Sequence, residues 1–484
     1  MTSSERQERI PSRFGYAQEL FRAMGGFSNF AISFSIISIL TGCVTLFGYG
    51  LEMGGPLEMG LGWPVATVFT LTLAASMAEL CSAFPTSGAM YHWTVALGGR
   101  GAGWFVACLN ILGLVAAQAA IDYSCAQFSL PFLGIAVSPR NVFLMFSLTL
   151  ITHGAINCYG VRLLAVLNDC SVAVHIVGVL AIAGSIFWLA PTQPPRFLLQ
   201  ASNSNGQPFY WWAFLLGLLQ AQWTYTGFDG SAHMAEETVG ANTTAPWGMV
   251  LAVAVSGALG YVLLIALTLG IQSTAAVFSA KDAEGNAIPA AIAVLRFALG
   301  VKFGNAIAAL ASMAMWFCGL ACVASASRAV YSLARDGGLP WHSFFSRVNP
   351  RHGTPGAAVW AVVLASVGVM AWTGAVPIVT SLSTVALYLA YIVPVVLGLR
   401  ARGRVQPWVS MAAWNLGRWG PTVNAVAICY TGLICLVLVM PPNALAGKAL
   451  GAVAAVLGVA YWSVVRRNFR GPEWAAKAAR FAAR

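Results

Sequence analysis

Long apolar runs alternate with short polar stretches from about residue 30 to residue 465. Twelve can be read: Phe30–Phe47, Trp63–Phe84, Trp104–Phe128, Val142–Tyr159, Leu163–Leu189, Phe209–Ala235, Met249–Ile271, Phe303–Leu333, Ala357–Trp372, Val376–Leu399, Val423–Met440 and Leu445–Val465. Each is about long enough to cross a hydrocarbon core of about 30 Å. The pattern predicts an all-α polytopic membrane protein of twelve transmembrane helices joined by mostly short connections. Residues 1–27 form an N-terminal segment in this reading, 28–400 a ten-helix core, 401–465 two appended helices and 466–484 a basic tail.

Two of the runs are diluted near their middles. The sixth contains Trp223-Thr224-Tyr225-Thr226-Gly227-Phe228-Asp229-Gly230-Ser231-Ala232-His233, with paired glycines that weaken a helix and an acid that costs a few kcal/mol at membrane depth. The first contains Ser35, Ser38, Thr41, Gly42, Cys43 and Thr45, with Thr41-Gly42 near its centre. Breakable helices five spans apart are what a five-plus-five inverted repeat predicts, with a binding site where the breaks meet. Opened helices expose N–H groups that suit a carboxylate and C=O groups that suit an ammonium. On this reading the backbone of Thr41, Gly42, Cys43, Val44 and Thr45 holds one end of a small amino compound. Thr226, Gly227 and Phe228 hold the other. The alternative for Gly42 and Gly227 is close helix packing.

Composition agrees with a membrane protein: of 484 residues, 58% are hydrophobic and 8% charged, with a mean hydropathy of +0.75. The net charge of +11 does not call for nucleic acid, because the basic residues sit between the apolar runs. With the N-terminus inside, 20 of the 26 Lys and Arg fall on the cytoplasmic side and six on the other, which orients both termini inward. Arg6, Arg9, Arg13 and Arg22 make the start too polar for a cleavable signal peptide, so the first span is expected to act as an uncleaved signal-anchor. The ten cysteines form no Cys-x-x-Cys and read as small apolar residues, with no metal and no organic cofactor implied. The loop 272–302 reads as a cap, and there is no soluble catalytic domain. An intramembrane enzyme is disfavoured by the absence of His-Glu-x-x-His, paired catalytic carboxylates or a nucleophile motif.

Several polar residues carry candidate chemistry. Asp229 can pair with an ammonium, sense protons or cap a half-helix. Trp223, Tyr225 and Phe228 can close over a substrate or fill a helix interface. His175, in the fifth span, can load a proton near neutral pH or serve as a hydrogen-bonded interior residue. Asp122, in the third span, is its candidate partner or an independent strut, whereas His153 and His233 have weaker claims. Glu79, at the inner end of span two, and Arg328, Arg335 and Asp336, at the inner end of span eight, read as cytoplasmic gate contacts or solvated helix ends.

Four passages resemble the amino acid–polyamine–organocation superfamily, and within it the amino acid/choline transporters that include GABA permeases, choline permeases and bidirectional amino acid transporters. They are Asn29 to Ser38 running into Leu40-Thr41-Gly42; Ala78-Glu79-Leu80 with Pro85-Thr86-Ser87-Gly88; Gly227 to His233 with Glu236-Glu237; and Ser327-Arg328 to Gly337. The resemblance implies a LeuT-like fold with substrate between spans one, three, six, eight and ten, and an aromatic gate at Trp223 or Tyr225. Ser325 falls in the region equivalent to a sodium site. Related cationic amino acid carriers have Asn-x-x-x-Thr-x-x-Lys in span five; here Asn168 is followed by Val172 and His175, which weakens sodium coupling and favours His175 as a proton carrier.

The expected function is import of a neutral amino acid or GABA across the plasma (inner) membrane by alternating access, driven by a proton gradient or by exchange. The expected partners are that small molecule and the lipid bilayer. A choline- or polyamine-type cation permease and a non-transporting nutrient receptor are the alternatives.

Overall fold

The computed structural model describes residues 20, 22–282, 284–373, 375–403, 408–472 and 474; Arg6, Arg9, Arg13 and most of the expected basic tail lie outside the described residues. Its helices in order are α1 (Gly26–Ile37), α2 (Ile39–Thr45), α3 (Phe47–Gly54), α4 (Trp63–Ala83), α5 (Arg100–Phe132), α6 (Pro139–Cys158), α7 (Val161–Leu189), α8 (Tyr210–Gly217), α9 (Leu219–Thr224), α10 (Gly230–His233), α11 (Ala241–Leu269), α12 (Val301–Arg335), α13 (Gly356–Thr373), α14 (Val376–Ala401), α15 (Gly420–Leu438) and α16 (Ala444–Ala460). Among the described residues, ten helical stretches are long and apolar enough to cross a membrane. Two expected spans fall outside that set. The ninth is the shorter apolar helix α13, and the sixth is cut into α8, α9 and α10.

The long helices α5, α12 and α14 pack around α1, α2, α9 and α10. Small residues permit this, as membrane helices associate by close backbone approach. A Cβ on Gly113 would collide with Leu387, and one on Gly319 would strike Asp122 and His153. At the periphery, only 6% of the apolar window of α16 is buried, so that helix presents its side chains to lipid. Loop 272–302 contains the helices Thr274–Ser279 and Ala290–Leu299 and a bridge between Lys281 and Ala287; the second helix buries Ala291 to Leu295, as a cap would.

The first helix breaks at Ser38, three residues before the expected Thr41-Gly42. Ser38 has φ 36°, in the left-handed region. Its Oγ lies 2.5 Å from Thr41 Oγ1 and 2.7 Å from His175 Nε2, so side-chain bonds compete with the helical ladder at this point. The N–H groups of Thr41 and Gly42 both return to the Ser38 carbonyl. Gly42 is a close-approach residue: a Cβ there would collide with Thr224 of α9.

The sixth span is interrupted over Tyr225 to Asp229, between α9 and α10. Here Gly227 is the conformational break, with φ 91°, and a Cβ at that position would also run into Ile36 of α1. Gly227→Ala is therefore expected to destabilise the protein by on the order of 1–3 kcal/mol, lowering its melting temperature. Gly432→Ala, on α15 with open space around its Cα, should leave melting unchanged or raise it.

Candidate functional site

Between the two breaks lies a small closed cavity. Its wall is formed by Ile36 and Ile37 of α1, Thr41 and Gly42 of α2, Leu114, Ala117 and Ile121 of α5, Trp223 and Thr224 of α9, Thr226 and Gly227 of the interruption, Cys318 of α12 and Leu387 of α14. Its volume of about 10 Å³ is room for about one water molecule, so it must widen to admit anything larger. Trp223 adds a directional group, because its buried indole N–H has no hydrogen-bond partner among the described residues. A larger pocket of about 210 Å³, lined by Thr45, Tyr49, Glu52, Gln127, Phe128 and Val376 among others, lies at the Thr45 end of the bundle.

Only part of the expected site faces the cavity. Thr41, Gly42, Trp223, Thr226 and Gly227 do; Cys43, Val44, Thr45, Tyr225, Phe228 and Asp229 are not among its lining residues. The reasons are visible in their contacts. Tyr225 turns away, stacks on Trp63 with ring centroids 4.7 Å apart and bonds to Thr67, which leaves Trp223 as the aromatic residue on the cavity. Phe228 packs on Tyr391 at 5.1 Å, and its carbonyl accepts the Ser33 hydroxyl at 2.6 Å. Thr45 lines the larger pocket instead. Ile36, Ile37, Ala117 and Leu387 carried no signal in the sequence beyond their place on spans one, three and ten.

Asp229 is fully buried. It accepts from Tyr391 Oη at 2.6 Å and lies 3.1 Å from His233 Nε2. The other ring nitrogen of His233 faces the Ser87 carbonyl at 3.0 Å, which can only accept, so Nδ1 carries hydrogen. The same Nε2 is also met by Asn110 Nδ2 at 3.0 Å. Asp229 thus locks the α10 end of the interruption to α14 and, through His233, to the Ser87 turn.

His175 and Asp122 are not partners. His175 joins Ser38, as above, and its Nδ1 donates to the Ser171 carbonyl at 2.8 Å. Asp122 instead lies 3.1 Å from His153 Nδ1 and accepts from Gln118 Nε2 at 2.6 Å. This pair sits directly behind the cavity, since Ile121 and Cys318 line it while Asp122 and Gly319 meet at its back. Ser325 is buried near Gly230, with no partner for its hydroxyl among the described residues.

A family model described as amino acid permease matches residues 24–462. The chain belongs to the amino acid permease family. It is a transporter and not an enzyme, within the amino acid–polyamine–organocation superfamily that its sequence resembles. It is 33% identical over 459 residues to the amino-acid permease BAT1 homolog of Oryza sativa subsp. japonica, covering 88% of this chain and 86% of that one. With amino-acid permease BAT1 of Arabidopsis thaliana the identity is 32% over 495 residues, covering 95% and 94%. With the GABA-specific permease of Saccharomyces cerevisiae it is 27% over 487 residues, covering 95% and 83%.

At the end of the permease opposite the larger pocket, ion pairs tie the segment after α10 to α12. Arg335 grips Glu236 with two bonds of 2.9 and 3.0 Å, and Ser87 N–H adds a third at 3.1 Å. Arg328, fully buried, pairs with Glu237 at 2.8 Å. Asp336 accepts from Tyr91 at 2.8 Å and lies 3.2 Å from His92. Three of the four expected gate residues are thereby joined to one surface. Glu79 is not; it pairs with Arg402 and accepts from the Leu416 N–H at 3.0 Å. Arg328 and Arg335 were singled out in the sequence, whereas Glu236-Glu237 stood there only within a family-like passage, with nothing to link the two segments.

Burial alone would raise the Glu236 carboxyl, but Arg335 and its hydrogen bonds prevail and hold it at about 2. Its contribution is therefore fully present above the ordinary carboxylate range and lost only as pH falls through about 2. The Glu236–Arg335 contact is expected to persist unchanged from about pH 5 to about pH 8. Arg328→Met should cost about 3–5 kcal/mol by stranding Glu237 as a buried charge, measured as a loss of thermal stability. Arg328→Met with Glu237→Met should recover much of it.

Proposed function

We propose that this permease imports a small amino compound, a neutral amino acid or GABA, by alternating access through twelve spans arranged as a five-plus-five inverted repeat, with both termini cytoplasmic. The observation that carries this reading is the occluded cavity at the meeting point of the two broken helices, lined by Thr41, Gly42, Trp223, Thr226 and Gly227. The ion-paired end is then the closed cytoplasmic gate, and the Thr45 end faces outward. The relationship to plant amino-acid permeases and to a yeast GABA-specific permease supports the substrate class.

Polarity at the cavity is supplied by the Thr41 hydroxyl, the Trp223 indole N–H and the broken backbone around Thr226 and Gly227. A carboxylate suits the first two and an ammonium suits free carbonyl groups at the end of α9. No acid lines the cavity, because Asp229 is engaged by Tyr391 and His233. That arrangement favours a zwitterion over choline or a polyamine, which would need a charge partner or an open aromatic cage.

Proton coupling is assigned to His175 through the Ser38–Thr41 relay. With the ring neutral, Nε2 accepts from Ser38, which in turn accepts from Thr41, so Thr41 offers the cavity an acceptor. With the ring protonated, every bond reverses, and the Thr41 O–H is released to donate to a substrate carboxylate. Proton uptake and carboxylate binding therefore favour each other, as reciprocal linkage requires.

In proteoliposomes, His175→Gln is expected to abolish the pH dependence of amino acid uptake while substrate binding and counterflow survive; an intact pH profile would dismiss this assignment. Replacing both Gly42 and Gly227 with Leu should remove uptake and counterflow together. Persisting uptake in that double variant would rule out the cavity as the binding site, and binding without counterflow in the native protein would indicate a receptor.

A further inference from the structure

Away from the cavity, one ionisable side chain has neither a role nor a partner. Glu58 opens the π-turn Glu58–Gly62 that precedes α4, and it is 1% exposed. Neither carboxyl oxygen has a hydrogen-bond partner among the described residues. π-Turns within helices are frequently retained at functional positions.

The side chain is closely seated. Gly54 at the end of α3, Gly62 in the π-turn and Gly217 at the end of α8 form a cradle around it. A Cβ at Gly62 would come within 2.6 Å of Oε1, and one at Gly217 within 2.6 Å of Oε2; one at Gly54 would also collide with Oε2. The cradle is thus shaped to the carboxyl and leaves no space for a metal ion beside it.

The ionisable groups facing Glu58 are Tyr49 from α3, Tyr210 from α8 and Tyr430 from α15. None supplies a cation, and no basic group among the described residues acts on the carboxyl. Tyr210 donates to the Gly54 carbonyl at 2.7 Å, Tyr49 accepts from Asn443 at 3.0 Å and Tyr430 accepts from Gln222, and none of the three hydroxyls makes a hydrogen bond to the carboxyl. An ionised carboxylate in this position would have neither counter-charge nor donor, a cost no membrane interior tolerates. The residue in the closed cradle is the neutral acid.

Two walls of the cradle belong to the outer halves of the interrupted helices: α3 continues α2, which carries Thr41 and Gly42, and α8 leads into α9, which carries Trp223 and Thr224. We propose that Glu58 is a proton-binding site, and that the outer half-helices close over it only once its carboxylate has taken a proton from the aqueous phase. This rests on the alternating-access reading, in which α3 and α8 part to open the outer side. The step adds one proton to one carboxylate on closing and returns it to water on opening. Where the open-state carboxylate is ionised, the ratio of closed to open forms then rises up to about tenfold for each unit of pH decrease.

Amide hydrogen exchange of the full-length protein in lipid nanodiscs, corrected for intrinsic rates between about pH 5 and about pH 8, tests this in peptides covering 46–58 and 209–218. The native protein is expected to gain protection there as pH falls, and Glu58→Gln, which keeps the shape without the titration, to show high protection at every pH. A Glu58→Gln profile that follows the native one overturns the proposal. Should Glu58→Gln fail to fold, Glu58→Leu replaces it with the same two outcomes. Substrate counterflow measured alongside separates the two levels: its absence from the native protein would count against transport, whereas an unaltered exchange profile in the variant counts against the proton site.

Discussion

Everything at the centre of this protein depends on satisfying backbone groups that two broken helices release inside a membrane, where no solvent can do so. The solution is a knot of small polar side chains between α1 and the interruption in the sixth span. Ser33 donates to the Phe228 carbonyl, and the Ser231 N–H donates back to Ser33 at 2.8 Å. Ser231 Oγ reaches the Asn29 carbonyl at 2.8 Å, while Asn29 Nδ2 reaches the Ser231 carbonyl at 3.0 Å. These reciprocal bonds make α1 and α10 one unit, so the breaks can be both irregular and stable. What remains open after the knot is tied is the small set of groups on the cavity.

That constraint also explains how much of the site was legible beforehand. The membrane class and the run boundaries follow from hydropathy, because a helix crossing lipid has little freedom in composition; α4, predicted as Trp63–Phe84, spans Trp63–Ala83. The paired breaks were visible as hydroxyls and glycines in otherwise apolar runs. Which residue bends was not visible. The pattern points to Thr41-Gly42 as the hinge, yet Ser38 takes the left-handed conformation, because Thr41 and His175 hold its hydroxyl in place and Gly42 is needed for contact with Thr224. Periodicity reports that a helix is weak, whereas tertiary hydrogen bonds decide where it yields.

The ionisable residues were harder to place for the same reason. Asp229, His175 and Asp122 each stood out as costly in lipid, but besides i,i+4 neighbours such as His233 each has a partner on another helix, at a sequence separation no local pattern encodes. The structure pairs Asp229 with His233 and Tyr391, Asp122 with His153, and His175 with Ser38. Two of these combinations draw in histidines with little sequence signal, and neither joins His175 to Asp122. Glu58 lacked even a local cue, since it lies at the edge of an apolar run where a solvated acid would be unremarkable.

The distribution of charge then follows one physical rule. Fixed ion pairs, such as Arg335–Glu236 and Arg328–Glu237, hold the C-terminal ends of α12 and the sixth span together, where Arg and carboxylate geometry gives strength. Nearer the cavity the polar groups are hydrogen-bonded to one another instead: His175 with Ser38, Asp122 with His153, and Asp229 with His233 and Tyr391. A carrier must reopen its gates, so a fixed internal charge in the cavity would hold a zwitterion too firmly to release it. In the function proposed above, backbone dipoles, hydroxyls and an indole N–H bind both ends of such a molecule with modest strength, and reversible protonation of His175 supplies the driving force without leaving a permanent charge in the path.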